Sequence, residues 1–221
     1  MNPVDPLLGA VSNATAQPLK ILFVLTLLSI LPAIVMTMTG FVRTVVVLSF
    51  LRQGLGTQQA PPPQIVIGLA IFITVFTMAP IYEEVRQTAI EPYQRGTISD
   101  IQALETGSIP LRNFMLRQTR QQDLELFYVA ARLPLPDQPD DVPMKVAIPA
   151  FVVSELTTAF QMGVIILLPF LVIDIAVATI TMAMGMVMVS PQMLSLPIKI
   201  LLFVLADGWN LVVGSLLQSF R

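Results

Sequence analysis

Two carboxylates, Asp174 and Asp207, lie inside otherwise uncharged apolar runs of this sequence. An ionisable side chain in such a run is a candidate functional group, because a charge is costly away from water. Two aspartates sharing one proton could hydrolyse a peptide bond within a membrane. Proteases of that class need a Gly-x-Gly-Asp context, whereas the sequence reads "VID" at 172–174 and "ADGW" at 206–209. We therefore predict that both aspartates are buried polar residues and not a catalytic pair.

The composition excludes most other active-site chemistry. The chain contains no cysteine and no histidine, which removes thiol nucleophiles, disulfides and most transition-metal sites. It also removes the usual general base near neutral pH. A P-loop and a G-x-S-x-G motif are absent from the sequence. With a net charge of −2, nothing indicates nucleic acid. We expect no enzyme activity, no cofactor and no metal.

Hydrophobicity places the chain in a membrane. Of its 221 residues 55% are hydrophobic and 12% charged, and its mean hydropathy is +0.78. A soluble domain carries about 25% charged residues. The sequence therefore predicts an all-α integral membrane protein.

The charged residues are concentrated in one window. Of 26 charged side chains, 17 lie between Glu83 and Lys145, and the chain on either side is apolar. This distribution predicts four hydrophobic helical segments in hairpins, with a polar, mostly helical insert between the second and the third. The predicted divisions are an N-terminal segment 1–19, a first hydrophobic hairpin 20–82, the polar insert 83–145 and a second hydrophobic hairpin 146–221.

Loop charge predicts the orientation of these segments. The loop 43–64 carries Arg43 and Arg52 and no acid, so we place it in the cytoplasm and the insert on the opposite side. Residues 1–19 contain Asp5 and no base, so they lack the positive region of a standard secretion signal. The first apolar run is then either a retained helix or the start of a processed chain.

The insert has the start and stop signals of folded helices. Residues 99–102 fit a capping box and Gly107 fits a helix stop, followed by a second helix over 111–132. In one continuous helix, Phe114 and Phe127 would lie on roughly opposite faces, because each residue turns about 100°. Each could then meet a different neighbour in a ring. Two alternatives remain: both rings fill the core of the insert, or residues 119–122 cap a second helix.

Single charges in the second apolar hairpin need partners. Between Lys145 and Arg221 the only cation is Lys199, and three acids could pair with it. An unpaired ion in an apolar environment is costly, which predicts an ion pair. The alternative is that Lys199 extends its charged end to water.

Methionines alternate in the segment "TMAMGMVMVSP", residues 181–191. A period of two fits no helix face, and Gly185 and Pro191 favour a bent connection. Such backbone is tolerated at membrane depth where it lines a cavity. We therefore predict a loop that points into a channel, with methionines that seal it. The alternative is that these residues fill gaps in a core.

Five stretches of the chain resemble the FliP family, whose members form the flagellar type III protein-export gate. Together they cover nearly everything after residue 20. They are "GFVRTVVVLSFLRQGLGTQQAPP" (40–62), "PLRNFMLRQTRQQDLELF" (110–127), "IPAFVVSELTTAFQMGVIILLPFLVIDIAVA" (148–178), "MGMVMVSPQMLSLPIKILLFVLADGW" (184–209) and "GSLLQSF" (214–220).

The resemblance implies a function. Members of the family assemble as a pentameric ring with FliQ and FliR type subunits into a closed channel for unfolded flagellar proteins. It implies a place in the bacterial inner membrane at the flagellar basal body, with the insert on the periplasmic side. The alternatives are an injectisome export-gate subunit and a small polytopic transporter.

The resemblance also implies roles for single residues. It places a pore gasket at Met184, Met186, Val187 and Met188. It pairs Glu155 with Lys199 across a subunit boundary, and it places Phe114 and Phe127 in the region that makes contacts between subunits.

Overall fold

The computed structural model describes residues 25–26, 29–30, 32–57, 61–136, 138, 141–186 and 189–220. The predicted N-terminal segment 1–19 therefore lies outside the described residues. The chain divides into two units, Met1–Met36 and Thr37–Arg221. In the first unit, residues 32–36 are helical.

The second unit is helical, and no strand occurs among its described residues. This confirms the predicted all-α class. In chain order its helices are α1 (Phe41–Leu55), α2 (Pro63–Val85), a π-helical turn (Arg86–Ile90), α3 (Glu91–Gln94), α4 (Asp100–Gln118), α5 (Gln121–Ala131), α6 (Met144–Ala183), α7 (Pro191–Leu205) and α8 (Gly208–Gln218).

Proline and glycine fix several helix ends. Pro63 and Pro191 occupy the first positions of α2 and α7. A backbone N–H at that position would have no acceptor within the helix, so proline costs no hydrogen bond there. Gly56 ends α1 with φ 72°, in the left-handed region that a side chain disfavours. The turn after α1 and the starts of α2 and α7 thus follow from local sequence.

The start of α4 confirms one prediction and its length corrects another. Ser99 accepts from the backbone N–H of Gln102, and the Gln102 side chain accepts from the Ser99 N–H, as a capping box requires. The predicted stop at Gly107 is wrong, because α4 continues to Gln118. A Cβ at Gly107 would lie 3.2 Å from the Cβ of Ala89, so this glycine lets α4 approach the π-helical turn closely.

Two helical runs, Pro63–Gln94 and Met144–Ala183, are long and apolar enough to cross a membrane. The described residues give up to four spans if the interrupted pairs Pro32–Met38 with Phe41–Leu55 and Pro191–Leu205 with Gly208–Gln218 each count as one. The 40 residues of α6 extend about 60 Å, roughly twice the thickness of the hydrocarbon core. The helix is therefore longer than a single crossing of the hydrocarbon core needs.

Helices α1 and α6 pack through two reciprocal contacts between phenylalanine and glycine. The Phe50 ring of α1 occupies the space where a side chain of Gly163 would stand. The Phe170 ring of α6 lies 2.5 Å from the position of a Cβ on Gly54. These contacts bring the two backbones together and align α1 with the middle of α6.

Gly163→Ala is expected to destabilise the chain by about 1–3 kcal/mol, because the added methyl group overlaps the Phe50 ring in a packed interface. Gly68→Ala is the matched control, since nothing lies within 4 Å of a Cβ at Gly68 in α2. Thermal unfolding of the full chain in detergent measures both. Equal stability of the two variants would contradict this packing.

The insert helices pack on the N-terminal part of α6. Phe114 and Met115 of α4 form a core with Ile81 of α2 and Phe151 of α6. The Phe114 and Phe151 rings meet edge to face, with centroids 5.9 Å apart. A second cluster joins α5 to the start of α6 through Tyr128, Val142, Val146 and Ala147. The polar insert is thus a folded layer over α6.

Candidate pore loop and its supporting ion pairs

The methionine segment forms the tip of the hairpin between α6 and α7. Helix α6 ends at Ala183, and the Met186 N–H donates to the Thr181 carbonyl oxygen at 3.0 Å. Gly185 has φ 73°, the left-handed conformation that closes such a helix end. The expected non-helical connection is therefore present at Met184–Met186, whereas Met182 belongs to the helix. Val187 and Met188 lie outside the described residues.

This tip is apolar and open. The side chains of Met182, Met184 and Met186 are exposed, at 67%, 69% and 39% of their full accessible surface. The sequence carries no charge between Asp174 and Lys199. Exposed flexible thioethers without nearby charge can pack on another copy or on a passing chain.

Asp174 links the two helices of this hairpin, α6 and α7, through hydrogen bonds. Its Oδ2 accepts from Lys199 Nζ at 2.6 Å, and its Oδ1 accepts from Ser195 Oγ at 2.6 Å. Lys199 and Ser195 of α7 are buried, while the Asp174 side chain of α6 is 31% exposed. The prediction that Asp174 is buried is therefore only partly met. The pair fixes the register of α6 against α7 and thereby the position of the methionine tip.

Glu155 is paired with Arg43 of α1 within the same chain. Arg43 Nε donates to Glu155 Oε2 at 3.0 Å, and Nη2 donates to Oε1, so the contact is bidentate. Both side chains are almost completely buried. The prediction that Lys199 is the only cation available to Glu155 is wrong. It considered only the cations between Lys145 and Arg221, whereas Arg43 lies far earlier in the sequence. A Glu155–Lys199 contact between subunits stays a prediction.

The remaining donors of Arg43 tie three further segments together. Nη1 donates to the carbonyl oxygen and the hydroxyl of Ser219, at 2.7 and 3.1 Å, and Nη2 donates to Gln118 Oε1 at 3.0 Å. The guanidinium also lies 4.3 Å from the centroid of the Phe220 ring. Arg43 thus joins α1, the end of α4, α6 and the residues after α8.

The FliP family model matches residues 24–216 of the chain, so it includes the hairpin tip, the Asp174–Lys199 and Arg43–Glu155 pairs and the insert. The chain belongs to the FliP family. It is 51% identical over 199 residues to the flagellar biosynthetic protein FliP of Pectobacterium carotovorum subsp. carotovorum, covering 90% of this chain and 77% of the relative. It is 50% identical over 205 residues to the protein of that name from Bacillus subtilis (strain 168), covering 93% of each. The Aquifex aeolicus (strain VF5) protein is 45% identical over 205 residues, covering 92% of this chain and 86% of the relative.

In this FliP-family chain, Phe114 and Phe127 lie on separate helices. The predicted continuous helix is interrupted at Thr119 and Arg120, where α4 ends and α5 begins. Phe114 is buried in the chain's own core, while Phe127 is half-buried beside the Tyr128 cluster. The prediction that the two rings lie on opposite faces of one continuous helix is therefore wrong. A contact of either ring with a neighbouring subunit stays a prediction.

Asp207 occupies the bend between α7 and α8. The prediction that it is buried is wrong for the single chain, because the residue is exposed. Its described contact is with Asn210, whose Nδ2 donates to Oδ2 at 3.1 Å. Asp174 and Asp207 therefore lie in different environments and share no hydrogen bond among those described.

Polar contacts that the sequence does not reveal hold the insert against α6. Ser154 of α6 donates to Asp123 Oδ2 at 2.5 Å and accepts from the Arg120 N–H at 3.0 Å. Arg120 also donates to Gln161 Oε1 at 2.6 Å. No group of three or more His, Cys, Asp or Glu side chains placed to hold a metal ion occurs among the described residues.

Tyr128→Phe is expected to stabilise the insert by about 1 kcal/mol, because the Tyr128 hydroxyl is buried without a hydrogen-bond partner among the described residues. Burial raises the pKa of Tyr128, and the Asp141 carboxylate adds to the rise. The tyrosine therefore ionises first in the unfolded chain, and the free energy of unfolding falls as the pH rises above about 10.

Unfolding of the full chain in detergent at neutral and alkaline pH measures both effects. The Phe variant should lose less stability than the parent between the two pH values. Tyr93→Phe, at an exposed tyrosine, is the control. The assignment is wrong if the parent and the Tyr128 variant respond equally to alkaline pH.

Proposed function

We propose that this chain is the pore-forming subunit of a flagellar type III export gate, a closed channel through which unfolded flagellar proteins leave the cell. Its relatives are named flagellar biosynthetic proteins, which favours the flagellar system over an injectisome. The apolar composition and the two long apolar helices place the chain in a membrane.

The methionine tip is the observation that carries the proposal. Met184, Gly185 and Met186 form an exposed turn at the end of a hairpin whose arms are held by the Asp174–Lys199 pair. Repeated around a ring, such tips would make an uncharged collar. Flexible side chains can close on each other and then yield to a chain of any sequence, and an apolar constriction excludes ions by dewetting. In the proposal Val187 and Met188 belong to the same collar.

The remaining apolar surface supports assembly with other subunits. Along the C-terminal part of α6, large side chains such as Leu168, Val172 and Ile175 are exposed in the single chain. These exposed side chains support contacts with neighbouring subunits. We propose a pentameric ring with FliQ and FliR type subunits in the bacterial inner membrane at the flagellar basal body, with the insert on the periplasmic side.

Complementation tests the proposal. The chain is expressed in a flagellated bacterium that lacks its own FliP, and motility and secretion of flagellar proteins into the medium are measured. The expected result is recovery of both, together with co-purification of the chain in one large complex with the FliQ and FliR type subunits. A matched strain carries the Bacillus subtilis relative as the positive control.

Two results would contradict the proposal. The first is normal membrane insertion of the chain without any secretion, in a strain where the Bacillus subtilis relative restores secretion. The second is purification of the chain as a stable monomer or dimer that transports small ions, which would favour the transporter alternative.

A further inference from the structure

A carboxylate stands on the apolar surface at the bend between α7 and α8. The two helices meet at an angle of 63° at Asp207, which is exposed. The large side chains on both sides of it, including Leu205 and Leu211, are also exposed. Asp207 therefore presents a charge in the middle of an otherwise apolar face.

The bend lies at the depth of the apolar helices. The Phe203 ring covers Gly208, the residue after Asp207, and it packs against Phe170 with centroids 6.4 Å apart. Phe170 belongs to the uncharged part of α6 between Glu155 and Asp174. An exposed carboxylate at this depth is costly in lipid, so a protein group must satisfy it.

The backbone at Asp207 directs the carboxylate outward. Aspartate at the start of a helix normally accepts a hydrogen bond from a backbone N–H of the first turn, yet no backbone N–H of α8 donates to the Asp207 side chain. The residue has φ 49°, a conformation that residues other than glycine adopt at a cost. Asn210 donates to Oδ2 and holds the carboxylate in place. The Asp207 carboxylate thus does not cap the backbone of α8.

The described cations at this depth are already engaged within the chain. Arg43 binds Glu155 and Lys199 binds Asp174, and Arg52 makes contacts of its own. A second copy of the chain would present Arg43, Lys199 and Arg52 in the same engaged state. These contacts favour a partner with a different sequence as the source of the positive charge.

We propose that Asp207, held by Asn210, is a docking point for a lysine or arginine side chain of a different subunit of the export gate. This inference rests on the proposed function, since it needs an assembly of several membrane subunits. The bend exposes the acceptor, and the surrounding apolar side chains exclude water from the ion pair.

Asp207→Asn, Asp207→Glu and the control Asp100→Asn, at an exposed acid of the insert, test the proposal in the full chain. Each variant is purified alone and after co-expression with the FliQ and FliR type subunits. We expect Asp207→Asn to reduce recovery of the other subunits by at least about tenfold, since loss of a buried ion-pair partner has effects of that size. Its self-assembly and membrane insertion should stay at the level of the parent, and Asp207→Glu and Asp100→Asn should retain co-assembly.

Chemical rescue isolates the sign of the charge. The chain has no cysteine, so Asp207→Cys carries a unique thiol. Before reconstitution with the other subunits, it is modified with a reagent that adds either an ethylsulfonate or an ethyltrimethylammonium group. Only the sulfonate adduct should restore co-assembly.

Three outcomes would overturn the inference: normal co-assembly of Asp207→Asn, equal rescue by both adducts, or loss of self-assembly to the same extent as co-assembly, which would make a second copy the partner. Failure of the parent chain to support secretion would instead contradict the proposed function.

Discussion

Arg43→Ala is expected to destabilise the chain by about 3–5 kcal/mol, because it leaves Glu155 buried without a partner. It also removes the donors that hold Ser219 and Gln118, so the end of α8 and the end of α4 lose their shared anchor. Glu155→Ala should have an effect of similar size, since it leaves the Arg43 guanidinium buried without its carboxylate partner. We further expect both single variants to fail in ring assembly.

A double-mutant cycle measures this contribution. The double variant, Arg43→Ala with Glu155→Ala, should be less destabilised than the sum of the single variants, because no buried charge remains unpaired. Thermal unfolding in detergent gives the stabilities, and native electrophoresis gives the assembled fraction.

Arg86→Ala is the matched control for loss of an ion pair. Arg86 also pairs with two glutamates, Glu83 and Glu91, but its side chain is 41% exposed. Loss of an exposed ion pair changes stability little, because water screens the charges. Arg43 and Arg86 variants of equal stability would show that burial of the Arg43 pair is unimportant.

Replacing Met184 and Met186 together by alanine is expected to open the closed channel to small ions while leaving assembly intact. The two side chains are exposed at the hairpin tip, so the chain's own core does not depend on them. Shortening them widens and wets an apolar constriction. Ion conductance of the assembled complex in a planar bilayer should rise by about tenfold, which corresponds to a barrier lowered by about 1.4 kcal/mol.

The leucine double variant at the same positions is the control. Leucine keeps the apolar volume of the tip, so the channel should stay closed to ions. Leucine is stiffer than methionine, so the leucine variant should secrete large flagellar proteins more slowly than the parent. A tight membrane in the fully assembled alanine variant would show that these methionines are not the seal.

Much of this protein followed from sequence because it depends on neighbours along the chain. The apolar runs and the window of charges between Glu83 and Lys145 predicted an all-α membrane protein, and the helices of the described residues confirm that class. Gly185 and Pro191 marked a turn that the described residues confirm. The five stretches that resemble the FliP family identified it, and the match of the family model to residues 24–216 confirms the family. Hydrophobicity, capping and turn chemistry act over a few residues, so they can be recognised without a fold.

Tertiary structure decided the partners of the charges. Arg43 and Glu155 are 112 residues apart, and their pairing depends on the parallel packing of α1 on α6. That packing in turn depends on glycines that admit the Phe50 and Phe170 rings. Gly107 had the sequence of a helix stop, yet its contact with Ala89 made it a point of helix packing. Contacts of this kind arise only when helices distant in sequence meet, so spacing along one segment could not reveal them.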